Sequence, residues 1–558
     1  MNLCAAIILT VFRMVVIPVQ FEDRELSCSS DSLAQTVSLS EQYFNRQFRG
    51  SREFSFTLAP TVTLPKPVAY YGSNYSDRRD VLLHEAVRTA CTASSGSIDF
   101  SLYDNDSDGS VDNVCLITAG LSEADGADET WIWPQHGYLK DRGGTMSIGG
   151  VQINSFTVCT EQISDAGASP RPAGIGIFCH EFAHVLGLYD LYDTDGDGSG
   201  GESKGLCGLS LMDMGCRRDD GVNPPDFNAV DMDLLGLGEC SSLSKGSYTL
   251  EPLESGGRYL KAETDSEGEY YLIECREGRG LAIYHIDRSA GSAGWSDYYK
   301  AELTAAQRWE RGQVNCRPDR ECARLVAANP DAVDASGVFF PQKGHDSFGS
   351  DTAPACRFWS GASPTLAITD IVLGADGSAS FNVIEPLTLG ETAVFQDAAI
   401  ISWTPDATLK GISSCEIEWS GGKEEGGATV EGLATSYTVT GLKPQTAYKY
   451  KVRLRLSDGC AYSASGSFVT KVQLQNSYPY IYLKGSDRNS DGSFNAGARL
   501  SLRVFNATDA AEVRWYFNGR EISVGADGYW TVTAPGTLRA EVFMDDGSTE
   551  VLVKEIQL

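Results

Sequence analysis

The stretch FCHEFAHVLGLYD, from Phe178 to Asp190, constrains this chain more than any other. A helix advances about 100° per residue, so His180 and His184 fall on one face, about 6 Å apart along the axis, where both imidazoles reach one ion. Glu181 is rotated off that face toward the space beside the metal, badly placed to ligate but able to take a proton from a metal-bound water. Gly187 supplies the permissive backbone that ends the helix and turns the chain back, bringing Asp190 into reach as a third ligand. The plain alternative is a helix that happens to carry these residues. With six histidines in 558 residues, His-Glu-x-x-His arises by chance in roughly one sequence in two hundred of this composition. The chain also contains a control: in LLHEAVR, His84 and Glu85 recur on a helical pattern, but Arg88 stands where the second histidine would be. His84 therefore reads as an ordinary helix residue.

A chain of this length exceeds one core, and several domains are expected. Residues 1–12 read as a leader remnant or uncertain start. From 13 to 240 the pattern alternates strand and helix: MVVIPVQF as a buried strand, SLAQTVSLSEQYFNRQF as a helix, FSFTLAPTVTL as β, and Asp77 to Ala93 as a helix. From 241 to 385 short β runs alternate with glycine-rich turns, with helical spacing only near Ala301 to Arg311. Residues 386–471 resemble a fibronectin type III domain, with Trp403 as the core tryptophan and Tyr448 in LKPQTAY as the tyrosine corner. In such a sandwich the third and sixth strands are neighbours, so Cys415 and Cys460 are expected to bridge. Residues 472–558 look like a second, immunoglobulin-like β-sandwich.

The formal charge of −30 repels phosphate backbones and anionic headgroups, which excludes nucleic acid and a membrane surface as natural partners. No stretch is long and apolar enough to span a bilayer. Fifteen cysteines are many for a reducing compartment and favour export. Their odd number leaves one thiol unpaired within the chain, Cys4 being the first suspect.

Acidic chains attract calcium, and three stretches set acidic or amide oxygens at alternate positions before a glycine. They are Asp104, Asp106, Asp108 with Gly109 and with Asp112 at the ninth position; Asp193, Asp195, Asp197 with Gly198; and Asp487, Asn489, Asp491 with Gly492. Asx-rich turns form without an ion as well. Structural Ca²⁺ is expected at these loops, the second of which would brace the segment that carries Asp190.

The order His-Glu-x-x-His-x-x-Gly-x-x-Asp resembles the extended zinc signature of the metzincins, in the variant with aspartate as third ligand. That group has a methionine turn beneath the metal, which the resemblance places at Met212 in GLSLMDMGC, with Met214 as runner-up. More widely, YFNRQFRGSREF, YDNDSDGSVDNVCLITAG, TWIWPQHG, HEFAHVLGLYDLYDTD, LMDMG, YYLIECREG and GLAIYHID occur in the order seen in immune inhibitor A-like metallopeptidases. The chain departs from that pattern at Cys275, where asparagine is usual. The resemblance implies a multidomain architecture, an α/β zincin (metzincin-like) catalytic domain followed by β-sandwich domains. It also implies a secreted or cell-surface bacterial zinc endopeptidase acting on protein or peptide substrates. One catalytic Zn²⁺ would sit on His180, His184 and Asp190, with Glu181 as the base. Substrate would lie along an edge strand, expected within GGVQINSFTV, and activity should fall below about pH 6, where imidazoles protonate. His136 and His285 read as structural, and Cys179 points away from the ligand face. The rival reading is an adhesin or glycoprotein-binding protein whose C-terminal sandwiches make the contact while the zinc domain is subsidiary.

Overall fold

A computed structural model describes residues 11–75, 79–164, 169–264, 266–330, 335–359, 364–457, 459–472, 479–485 and 488–558. The N-terminal region is built on strand β1 (Val11–Gln20), β2 (Glu53–Leu58), β3 (Val114–Thr118), β4 (Gln135–Tyr138) and β5 (Ser155–Thr160). They lie in the order β2-β1-β3-β5-β4, with Val62–Thr63 also pairing to β1. Strands β1, β2, β3 and β5 are parallel, and β4 runs antiparallel to β5 at the edge.

Both faces of this sheet are covered, as a parallel sheet requires. Because side chains alternate along a strand, Met14 and Val16 of β1 enter one core while Val15, Ile17 and Val19 enter the other. On the first face lie helix α1 (Ser30–Phe48) and helix α3 (Gly176–Val185); on the second lies α2 (Leu83–Ser94). Ser29 caps α1 by accepting from the backbone of Ser32, satisfying one of the first-turn N–H groups. Phe182 of α3 docks edge-on against Phe44 of α1 at 4.9 Å and Phe56 of β2 at 5.1 Å. This aromatic contact fixes the rotation of α3, and hence which of its residues face away from the core.

Two sequence expectations shift at their boundaries. The helix expected from Asp77 begins at Leu83; Asp77 itself lies outside the described residues. Asp80 is buried ahead of the helix, where it accepts from the backbone N–H of Trp133 and the side-chain amide of Gln135. The helix expected over Ala301 to Arg311 covers only Ala305–Glu310, started by a capping box from Thr304 and Gln307. Residues 301–304 pair instead with Ser292–Ser296.

Residues 240–384 form a five-stranded sheet and a three-stranded sheet around a common core that includes Ile273, Ile283, Phe340 and Phe381. The next segment is a two-sheet sandwich with Trp403 buried in its core. Tyr448 closes its corner, its hydroxyl accepting from Lys443 N–H at 3.0 Å. A final sandwich is made of Tyr480–Gly485, Arg499–Phe505 and Tyr529–Thr531 against Arg520–Ile522, Ala510–Phe517, Gly536–Met544 and Thr549–Ile556.

The expected Cys415–Cys460 bridge is not formed. Cys415 pairs in register with Leu454 and points into the sandwich core. Cys460 lies beyond that strand and approaches Ser347 of the preceding region at 3.6 Å. Neighbouring strands are thus correct, but the register separates the two sulphurs. Among the described residues no cysteine is joined in a disulfide, and no helix is long and apolar enough to cross a membrane.

Candidate metal centre

Helix α3 carries the centre on the side away from Phe182. The imidazoles of His180 and His184 meet nearly at right angles, with centroids 4.9 Å apart. His180 Nδ1 lies 2.9 Å from the carbonyl of Leu211 and His184 Nδ1 lies 2.9 Å from that of Leu188. A carbonyl only accepts, so each Nδ1 carries the proton and each Nε2 keeps its lone pair. Gly187 sits at φ 105°, a left-handed turn that favours glycine. It brings Asp190 back so that Oδ1 stands 3.1 Å from His180 Nε2 and 3.3 Å from His184 Nε2. These separations are short, yet Asp190 Oδ1 is buried with no hydrogen-bond partner. Three lone-pair donors therefore face one point, and all lie within 4.8 Å of one another. Such a set fits a cation.

Electrostatics follow the geometry. Burial alone would push both imidazoles down, but contact with the Asp190 carboxylate outweighs it and raises them. Burial would raise Asp190, yet the two imidazoles hold it well below the usual carboxylate range. Glu181 is buried, and burial pushes its carboxyl up against the pull of the neighbouring imidazoles and of a hydrogen bond from the His136 backbone N–H.

Met212 is fully buried and Met214 exposed. The Met212 carbonyl accepts from Leu191 N–H at 2.7 Å, and the adjacent Leu211 orients His180. Leu211 and Met212 thus brace both His180 and the segment that follows Asp190. Cys179 packs in the core on the far side of the helix.

The edge strand lies elsewhere than expected. Of GGVQINSFTV, Val151–Ile153 joins a small separate sheet, while β5 is interior, held between β3 and β4. The edge is β4, which carries His136. His136 and Thr157 stand opposite each other, and the His136 N–H turns from β5 toward Glu181. Its ring stacks beside His184 at 6.4 Å, tilted by 20°. Burial, and secondarily His184, lowers His136 to about 4, so the ring is neutral. Read in sequence as structural, this histidine stands beside the cluster; a lone histidine gives no local spacing by which to find it.

Of the calcium loops, Asp104, Asp106 and Asp108 come together, but their oxygens are engaged by the loop's own N–H groups: Asp108 and Gly109 donate to Asp104, and Asp108 donates to Asp106. Asp112 is not in the group; its Oδ2 is taken by Asn105. Asp193 and Asp195 gather with Cys316 rather than Asp197, and a thiol is a poor calcium ligand. In the third loop Asp487 lies outside the described residues, and Asp491 caps Ser493. His285 is buried against Glu269 at 2.8 Å and stacked on Tyr271, a satisfied strand residue.

Residues 20–236 match the family described as immune inhibitor A peptidase M6, catalytic domain. The chain carries an M6 peptidase domain. Residues 386–468 match the fibronectin type III domain. A curated relative, Immune inhibitor A of Bacillus thuringiensis subsp. alesti, is 24% identical over 188 residues, covering 29% of this chain and 26% of that protein. The matched part is thus about a quarter of the relative's length. Two solved structures are also similar in part. A computationally redesigned β-sandwich protein is 19% identical over 17% of this chain and 96% of its own, with a TM-score of 0.15. A bacterial ice-binding adhesin is 15% identical over 31% and 64%, with a TM-score of 0.20. At such scores neither speaks to the fold of the whole chain.

Proposed function

We propose that the chain is an exported zinc-dependent endopeptidase that hydrolyses protein substrates. The observation that carries this reading is the convergence of His180 Nε2, His184 Nε2 and the unpartnered Asp190 Oδ1, with a buried carboxylate on the adjacent residue. Two imidazoles and one carboxylate make the three-ligand set that leaves zinc an open position for catalysis. When bound, the ion supplies Lewis acidity toward water and the scissile carbonyl.

The chain's own groups do the rest. Glu181, held by the His136 N–H, accepts the proton of the attacking water and passes it to the leaving nitrogen. Its raised pKa brings it nearer to neutrality, where it can act in both directions. Leu211 and Leu188 fix the imidazole tautomers, an outer-layer arrangement that keeps ligands oriented. The free side of β4 offers backbone groups to an extended peptide. A location outside the cytoplasm is what the resemblance of residues 20–236 to immune inhibitor A peptidases implies.

Replacing Glu181 by Ala tests the reading. Zinc should remain at one equivalent while casein cleavage falls by roughly a hundredfold or more. Undiminished cleavage in that variant would sink the mechanism.

A further inference from the structure

His136 contributes more than its backbone. Its Nε2 lies 3.1 Å from Ser155 Oγ, and Ser155 Oγ donates in turn to Asn113 Oδ1 at 3.1 Å. The orientation of Asn113 is set by its amide nitrogen, which donates to Thr157 Oγ1 at 2.9 Å. Its oxygen therefore faces Ser155 and can only accept. Ser155 has given its one proton to Asn113, so it meets His136 with a lone pair, and the proton on that ring belongs to Nε2. With the ring proton on Nε2, the lone pair lies on Nδ1. That nitrogen makes no hydrogen bond among the described residues and is not among the buried polar atoms cut off from water. A three-residue chain running into the sheet thus holds one acceptor open, beside His184 and on the residue whose own N–H holds Glu181.

Such an acceptor needs a donor, and an extended peptide brings only backbone N–H groups to a site of unspecified side-chain preference. Glu181 must lie within a hydrogen bond of the nitrogen it protonates, and the His136 ring stacks at 6.4 Å beside His184, on the same helix as Glu181. The scissile nitrogen is therefore brought next to this imidazole. We propose that His136 is a further catalytic residue whose Nδ1 accepts the scissile amide N–H as that nitrogen becomes the leaving amine. In the step, water oxygen bonds to the carbonyl carbon and one water proton goes to Glu181. The C–N bond then breaks, its electron pair stays on nitrogen, and Glu181 returns the proton there. The original amide hydrogen stays on nitrogen throughout, directed at His136 Nδ1, which stops the nitrogen from rotating out of line. This proposal rests on the peptidase reading above.

The test compares wild type, His136→Phe and His136→Asn on one peptide and on its depsipeptide counterpart, with an ester at the scissile bond. Phenylalanine keeps a ring beside His184 without nitrogens; asparagine can set an amide oxygen near the place of Nδ1. For the peptide, His136→Phe should lower kcat at least tenfold with KM within threefold, and His136→Asn should recover part of the loss. Ester hydrolysis, which has no such N–H, should change less than threefold. Zinc content and thermal midpoint should match wild type in both variants. Equal losses on peptide and ester, or loss of zinc, would show that His136 acts through Glu181 or the ligands and would overturn the proposal. So would an undiminished kcat in His136→Phe. If wild type with bound zinc cleaves neither substrate nor casein, it is the peptidase reading that fails, and this proposal falls with it.

Discussion

Helices α2 and α3 lie on opposite faces of one sheet, and each carries the dipeptide His-Glu: His84-Glu85 on α2, His180-Glu181 on α3. Both also reach the edge strand β4. On α2, His84 Nε2 bonds the Tyr138 carbonyl at 3.1 Å, and Arg88, in the place of a second histidine, donates to the carbonyls of Leu139, Arg142 and Gly144. On α3 the contact has the opposite sense, with β4 donating its His136 N–H to the helix carboxylate. The difference is one of surplus. His84 leaves Nδ1 without a partner, but among the described residues no second or third donor gathers with it, and burial lowers its affinity for a proton. On α3 three lone pairs are left facing each other. One unpartnered atom costs a little stability, whereas three that converge make a set that could hold a cation.

The comparison can be tested first where it should fail most completely. Asp190→Ala removes one of the three converging donors; zinc should no longer copurify at one equivalent, and cleavage should fall to about a thousandth of wild type. Metal analysis of the purified variant checks this. The converse change, Arg88→His, recreates His-Glu-x-x-His on α2 and should recruit no second zinc, because no third ligand is near.

Next in size is the anchor that both helices share. Asp80 fastens Trp133 and Gln135 at the start of β4, and burial pushes its carboxyl up to about 7 against the Trp133 hydrogen bond. The folded chain then holds a proton that the unfolded chain releases near pH 4. This contribution is full below about pH 4 and is lost as pH rises through about 7, on the order of 2–4 kcal/mol. Asp80→Asn should flatten that slope, as read from urea midpoints at pH 5 and pH 8. Arg88→Met should cost about 1–3 kcal/mol by leaving carbonyls of the β4 loop unpaired, visible as a lower thermal midpoint with zinc content unchanged. Smallest is His84→Ala, about 1 kcal/mol, with catalysis intact; a collapse of activity there would mean the two helices are less different than their contacts imply.

Much of the site was legible because its spacing is local. His180, Glu181, His184, Gly187 and Asp190 lie within eleven consecutive residues, so helix geometry and one glycine suffice to anticipate their meeting. Met212 required a family pattern in addition. His136 was out of reach, since it arrives through the pairing of β4 with β5, and strand order is set by which strand is buried on both faces. The same cause displaced the expected edge strand: β5 is buried along nearly its whole length, while β4 is half-exposed. Cys415 and Cys460 failed for a related reason, because strand adjacency can be inferred from a sandwich pattern while the register that separates two sulphurs cannot.

By itself, then, the sequence determined a sheet flanked by helices, β-sandwiches toward the C-terminus, and a helix-turn able to offer three ligands and a base. These follow from periodicities of two and 3.6 residues and from the backbone freedom of glycine, all properties of neighbouring residues. Only the tertiary structure decided which strand borders the His180–His184–Asp190 cluster, which histidine stands beside it, and which carboxylates close on their own N–H groups or on a thiol. Those outcomes depend on contacts between residues far apart in the chain, where packing and hydrogen-bond satisfaction across the whole domain choose among arrangements that local sequence leaves equal.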